Sequence, residues 1–386
     1  MDPDFEIFDS SSSEEEEEEI ILALDIEEER LGNERVSTSH RRSIPQRAFN
    51  RRNSLEGHER LFQDYFSKSP TYPPNLFRSR FRMQRHLFLH IQAEVEAYEP
   101  YFVQRRDAAK RLGQKITAAM RILAYGVSGD FVDEHLRIAE NTAAKCLKKF
   151  VKAIIGIFSH EYLRSPNEND IARLCAVGDS RGFPGMLGSI DCMHWKWKNC
   201  PSAWKGISHN DINVLEHSSV FKELAEGHAP KVNYSINGND YSMSYYLADG
   251  IYPSWLTFVK TIHAPHGCKN KHFAATQESA RKDVERAFGV LQARFAIVRG
   301  PARFYDRKTL KEIMMACIIL HNMIVEDERH TYLRVEDFVY EQSDEITEEP
   351  MSHEHTNEFV NFIQRHHHIR DRGIHFQLQS DLIEHL

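Results

Sequence analysis

The chain has 386 residues, 41% hydrophobic, 11% aromatic and 27% charged, with a formal net charge of −8. That length holds two domains, or one large domain with appendages, and the apolar content supports a sizeable core. Six cysteines, at 146, 175, 192, 200, 268 and 317, form no CxxC pair, which excludes a disulfide-stapled secreted framework and a zinc module.

The charge is unevenly spread. Residues 1–34 carry 15 acids and one arginine, whereas residues 41–150 carry 21 Lys/Arg against 11 Asp/Glu. An acidic tail before a basic region suggests nucleic-acid contact in the basic part, although charged helix surfaces explain the same numbers. The start, "MDPDFEIFDSSSSEEEEEE", lacks a basic-then-apolar leader pattern. Residues 1–55 form an acidic, then basic N-terminal segment expected to stay disordered, because so polar a stretch cannot bury enough surface to offset chain entropy. The pairs Arg41-Arg42 and Arg51-Arg52 match a bipartite nuclear import signal or arise by accident. The expected location is the nucleus, with the cytoplasm as a second, and the chain reads as soluble and intracellular.

Residues 56–165 read as a helical domain. "HERLFQDYF" and "MQRHLFLHIQAEVEAY" show helical spacing around the Pro-punctuated "PTYPPNLFRSRF". After "ITAAMRILAY" come a turn at Gly126–Gly129, a short helix from Phe131, and a helix bearing Lys145, Lys148 and Lys149 on its outer face. This order resembles a helix-turn-helix that holds DNA, and a plain helical bundle fits it as well. "RSPNENDIARLCAVGDSRGFPG" reads as a loop.

Strands follow. "MLGSIDCMHW" is short and apolar, "VNYSINGNDYSMSYYLAD" is two alternating runs joined at Asn237-Gly238, and "WLTFVKTI" is a third apolar run. "AATQESARKDVERAFGVLQARFAIV" is an amphipathic helix with a stripe of Ala280, Val284, Ala287, Phe288 and Leu291. "MMACIILHNMIV", 314–325, is too short to span a bilayer and reads as a buried helix. No membrane association and no small-molecule substrate are expected. Residues 331–386 form a charged tail whose run His366-His367-His368 reads as solvated.

Asp191 ends the first strand, Asp249 ends the hairpin's second strand, and Glu285 sits on the flank of the amphipathic helix. Carboxylates so placed can converge on hard divalent cations and support in-line phosphoryl transfer. Arg281 and Arg286 either steer phosphate or solvate their helix. His194 reads as structural. Trp195 and Trp197, alternating with Lys196 and Lys198, either stack on DNA or lie under a loop.

Five blocks carry a resemblance: "GSIDCMHWKWKNCP", "SHNDINVL", "YYLADGIYPSWLTFVKTI", "ARKDVERAFGVLQARFAIVRGPAR" and "ACIILHNMIVEDER". In this order they resemble the DDE transposases of plant PIF/Harbinger elements and the Harbinger transposase-derived nucleases. The resemblance covers roughly residues 60–330. It implies an α/β fold with an RNase H-like DDE nuclease core at 183–330 behind the helical, helix-turn-helix-like domain. It also implies DNA cleavage by a two-metal mechanism with Mg²⁺ or Mn²⁺, and a Myb-like partner protein. By motif, Asp191, Asp249 and Glu285 match the catalytic and metal-binding acids, and Asp211 matches a further metal contact. Asp211 is equally explained by capping, since Ser208 precedes it by three residues.

The family pattern departs at one point. Only residues 192–207 separate Asp191 from the cap before the next helix, too few for the two strands an RNase H-like core places there. The join falls at Gly206–Ile207, so the core is expected to lack two strands. A catalytically inactive DNA- or protein-binding factor is the alternative function.

Overall fold

In the computed structural model, residues 54–103, 114–200, 230–255, 257–332 and 372–386 are described. The N-terminal acidic and basic segment, the Gly206–Ile207 join, Asp211 with the helix expected around it, and His366–His368 lie outside them.

Six helices begin the described chain. Helix α1 (Ser54–Leu61) leads into a π-helical turn at Phe62–Phe66, then α2 (Pro74–Phe81) and α3 (Arg85–Tyr98). After them come α4 (Gln114–Tyr125), α5 (Gly129–Leu136) and α6 (Glu140–Tyr162). Proline at the first position of α2 starts that helix without losing a hydrogen bond, because that N–H has no intrahelical partner. Its phenylalanines stack at 4.2 Å between Phe77 and Phe81, and Tyr65, Phe66 and Phe88 surround the pair. The turn before α5 follows the sequence expectation. Gly126 has φ +63°, and a Cβ there would meet the Ala296 carbonyl oxygen at 2.9 Å. Ser128 caps α5 by accepting from the Phe131 N–H.

Helix α6 buries Ala143, Leu147, Phe150, Val151, Ile154 and Phe158, a stripe at helical period. Against it lies α10 (Arg307–Tyr332), whose Ile313, Ala316, Cys317, Ile319 and Leu320 are fully buried. The apolar run 314–325 is thus a core helix, and among the described residues no helix is long and apolar enough to cross a membrane. Lysines 145 and 148 are exposed on α6, while Lys149 is drawn into an ion pair with Glu99 at 2.8 Å.

The stretch read as a loop after residue 164 holds α7 (Glu168–Ser180). Its cap was missed because it uses Asn and Asp where the usual pattern has Ser/Thr and Glu. The Asp170 N–H donates to Asn167 Oδ1 at 2.9 Å and the Asn167 N–H donates back to Asp170 Oδ2 at 3.1 Å.

The strands build two small sheets, so the chain is a helix-rich α/β protein. Strands β1 (Met186–Ser189), β4 (Tyr245–Ala248) and β5 (Phe258–Lys260) form a parallel sheet in the order β1-β4-β5. Strands β2 (Lys231–Ile236) and β3 (Asn239–Met243) form the expected hairpin, its turn residues Asn237 and Gly238 at φ +52° and +86°. One expectation is corrected. The run from Asn239 to Ala248 is not a single hairpin strand. It breaks at the buried Ser244, whose hydroxyl donates to the Pro230 carbonyl at 2.8 Å. The half before the break is largely exposed and pairs in the hairpin, whereas the half after it is mostly buried and takes the centre of the parallel sheet.

Three helices follow: α8 (Cys268–Arg294), the single turn α9 (Ala296–Arg299) and then α10. The last, α11 (Arg372–His385), lies in the charged tail segment. It seats Leu378 and Leu382 in a second core with Phe183, Tyr245, Leu247, Val259 and Phe273.

Between α8 and α10 a polar network is buried in the larger core. Glu328, 3% exposed, receives two hydrogen bonds from Arg78 at 2.5 and 2.8 Å, and Arg294 lies 3.7 Å away. Arg294 also reaches His321 Nδ1 at 3.2 Å. Burial, then the nearby Arg294 charge, holds the His321 imidazole down at about 4 against an ordinary 6.5. Between those values the unfolded chain binds more protons than the folded one, so this contribution to stability falls as pH drops from about 6.5 towards about 4. Denaturant midpoints across that window should fall less steeply for His321→Gln than for the wild type. Parallel pH profiles would remove His321 as the cause.

Candidate active site

The C-terminal edge of the parallel sheet gathers the acids. Register pairs Ser189 with Leu247, and the Ile190 N–H donates to the Leu247 carbonyl at 2.9 Å. Asp191 and Asp249 therefore leave the same edge of two neighbouring parallel strands, the position where open α/β sheets place ligands. Helix α8 crosses this edge. Gln277, fully buried, donates from Nε2 to the carbonyls of Ala248 at 3.1 Å and Val259 at 3.2 Å, stapling α8 to the ends of β4 and β5.

One turn further along α8, Arg281 reaches into the acids. Its Nη1 lies 2.9 Å from Glu285 Oε1 and 3.6 Å from Asp191 Oδ2, and its Nη2 lies 3.3 Å from Glu278 Oε1. Burial opposes the guanidinium charge, but Glu278, Glu285, Asp249 and Asp191 favour it and raise its pKa above the ordinary arginine value. Asp191 Oδ1 also accepts from the Cys192 N–H at 2.8 Å, and Asp249 Oδ1 accepts from the Gly250 N–H at 2.5 Å. On the Asp249 side stands Lys260, the last residue of β5. Burial lowers its pKa, and Asp249 works against that shift.

Asp191 and Glu285 are thus brought together on one guanidinium, and Asp249 acts on it through its charge. As a donor set of carboxylate oxygens they suit Mg²⁺ or Mn²⁺. Their arrangement does not: among the described residues no three His, Cys, Asp or Glu side chains meet closely enough to hold one ion. The centre is satisfied by Arg281.

The weaker candidates separate. Arg286 is exposed and pairs with Asp283 at 2.7 Å, away from the acids. His194 is exposed. Trp195 and Trp197 donate their indole N–H groups to the carbonyls of Gly300 at 2.8 Å and Phe304 at 2.7 Å. Both rings are therefore held by the 300–304 segment, while Lys196 and Lys198, alternating with them, are exposed. The helix stripe is covered at its ends, Ala280 and Leu291. Val284 and Phe288 are half-buried and Ala287 is exposed. Sequence reading missed Gln277 and Lys260. A lysine closing the apolar run "WLTFVK" was the one available signal for Lys260; nothing marked Gln277.

Comparison with known proteins now bears on this edge. The family model described as "Plant transposon protein" matches residues 160–209 and 207–332, two stretches that contain Asp191 in the first and Asp249 and Glu285 in the second. Residues 160–332 thus resemble the plant transposon protein family. The two matched stretches overlap at residues 207–209, beside the point where the join was expected. A separate domain of unknown function matches residues 57–96, within the helical region. The chain is also similar to curated proteins. "Protein ALP1-like" of Arabidopsis thaliana is 22% identical over 338 residues, covering 76% of this chain and 77% of the relative. "Putative nuclease HARBI1" of Homo sapiens and of Bos taurus is 22% identical over 250 residues, covering 54% of this chain and 67% of the relative. No solved structure matches.

Proposed function

We propose that this protein acts on DNA through an RNase H-like nuclease framework, with Asp191, Asp249 and Glu285 as the carboxylates of a phosphodiester-cleaving site. One observation carries the reading. Acids far apart in sequence converge at the ends of two adjacent parallel strands and on the helix stapled across them. The name of the HARBI1 relatives supports a nuclease descent. Divalent metal, Mg²⁺ or Mn²⁺, is the cofactor the resemblance assigns to these residues and to Asp211, in a two-metal mechanism. Arg281 and Lys260 supply positive charge to the same edge, where a phosphate would otherwise meet only acids. The helical region, with Lys145 and Lys148 exposed and α5–α6 ordered as in a helix-turn-helix, would hold the duplex, and a Myb-like protein is the expected partner. The work is nuclear, which imaging of a tagged chain tests.

A second reading is favoured by a specific observation. Arg281 takes the centre of the acids, and the family match breaks where two core strands are expected. A DNA-binding factor that no longer cuts fits both facts, since displacement of a catalytic group by about 1 Å already costs orders of magnitude in rate.

One assay separates the readings. Supercoiled DNA is incubated with the full chain, with Mn²⁺ or with chelator, beside Glu285→Ala and Asp191→Asn. Metal-dependent nicking lost in both variants supports the nuclease. Salt-sensitive DNA binding without nicking supports the binding factor. Absence of both activities would sink the DNA reading altogether.

A further inference from the structure

A second site lies away from the acids, among the helices. Between α1, α2, α4 and α5 opens a cleft of about 460 Å³. On its wall Tyr65 is 5% exposed, and its phenolic oxygen accepts from two guanidinium groups, Arg80 Nη1 and, at 3.3 Å, Arg121 Nη2. Arg80 stacks over Tyr72 at 3.9 Å and Arg121 over Phe81 at 4.8 Å, which fixes both forks. Among the described residues neither arginine has an acid partner. Arg60 adds a third positive charge to the wall, and Asp64 is its one carboxylate.

Two guanidinium groups on one neutral oxygen repel each other, and an anion between them would relieve that repulsion. Planar forks of this kind match the oxygens of phosphate better than a point charge does. The cleft is larger than a bare phosphate needs, and it falls in the range of sites for small organic ligands. Its remaining wall is aromatic. Phe131, 48% exposed, stacks on His135 at 4.6 Å, and Tyr125 is 38% exposed. Such faces accept a base of any identity.

We propose that this cleft binds a nucleotide unit, its phosphate on Arg80 and Arg121 and its base against Phe131. Its occupant as part of a DNA strand rests on the reading above; the pocket itself rests on its own residues. Arg60→Gln changes an exposed side chain and keeps the fold, whereas Arg121→Gln also loosens the contact with Phe81.

The test uses the full chain, fluorescence anisotropy and a short labelled deoxynucleotide strand, with unlabelled dAMP as competitor and as a direct ligand by calorimetry. Arg60→Gln and Arg121→Gln are expected to weaken strand binding about tenfold at low salt and to lower the salt slope by about one. Phe131→Ala should weaken binding with the slope unchanged. Binding of dAMP alone, with the same dependence on these residues, supports the pocket with a free nucleotide as its source and removes the DNA reading. Strand binding unaltered in all three variants overturns the pocket and leaves the DNA reading standing.

Discussion

Arg281→Leu should cost about 2–3 kcal/mol of stability at pH 7. The guanidinium is 10% exposed and is the cation shared by Asp191, Glu285 and Glu278. Its removal leaves converging carboxylates at the sheet edge without their main counter-charge. The figure sits below that of a fully buried pair because Glu278 and Glu285 are 40% and 44% exposed, and water screens them. Arg281→Lys should retain part of the stability, since it keeps the charge but not the fork that spans several acids. Urea midpoints of the wild type and both variants decide the matter. An equal loss in Arg281→Leu and Arg281→Lys would mean that the arginine matters for its packed guanidinium and not for its charge.

Leu382→Ala should have the larger effect on folding, about 2–5 kcal/mol, and Leu378→Ala a similar one. Both are at most 1% exposed and fill a core built on the same strands that carry Asp191 and Asp249. Helix α11 is also tied down by polar contacts. Asp381 Oδ2 accepts from Asn239 at 2.8 Å and Tyr241 at 2.6 Å, and His375 Nδ1 contacts the Trp255 carbonyl at 2.9 Å. Trp255 stacks on Phe258 at 5.2 Å, so its emission should report the loosening of β5. Because the smaller core is the one affected, the variant should expose this tryptophan before the α6–α10 core melts. One cooperative transition, with Trp255 unchanged until the end, would refute that order.

Periodic and covalent signals were legible along the chain. The helical stripes of α6 and α10, the Asn-Gly turn, the glycine turn before α5, the two aspartates after strand ends and Glu285 on its helix all rest on residues within a few positions of one another. The family resemblance followed for the same reason, since its motifs are short and ordered. Helix α7 was missed locally, because an Asn–Asp cap satisfies the same N–H groups as the commoner Ser/Thr–Glu pair.

The sequence by itself determined where helices and strands can form and which acids they carry, because hydrophobic period, turn chemistry and capping act over one or two turns of chain. Only the tertiary structure decided that β3 and β4 go to different sheets, since that depends on which half can be buried on both faces. It also decided that Arg281 holds the centre of the carboxylates and that α11 returns from the charged tail to close the second core. Those outcomes turn on charges and apolar surface brought together from far along the chain, Arg281 with Asp191 and Phe183 with Leu382, and no local pattern encodes such a distance.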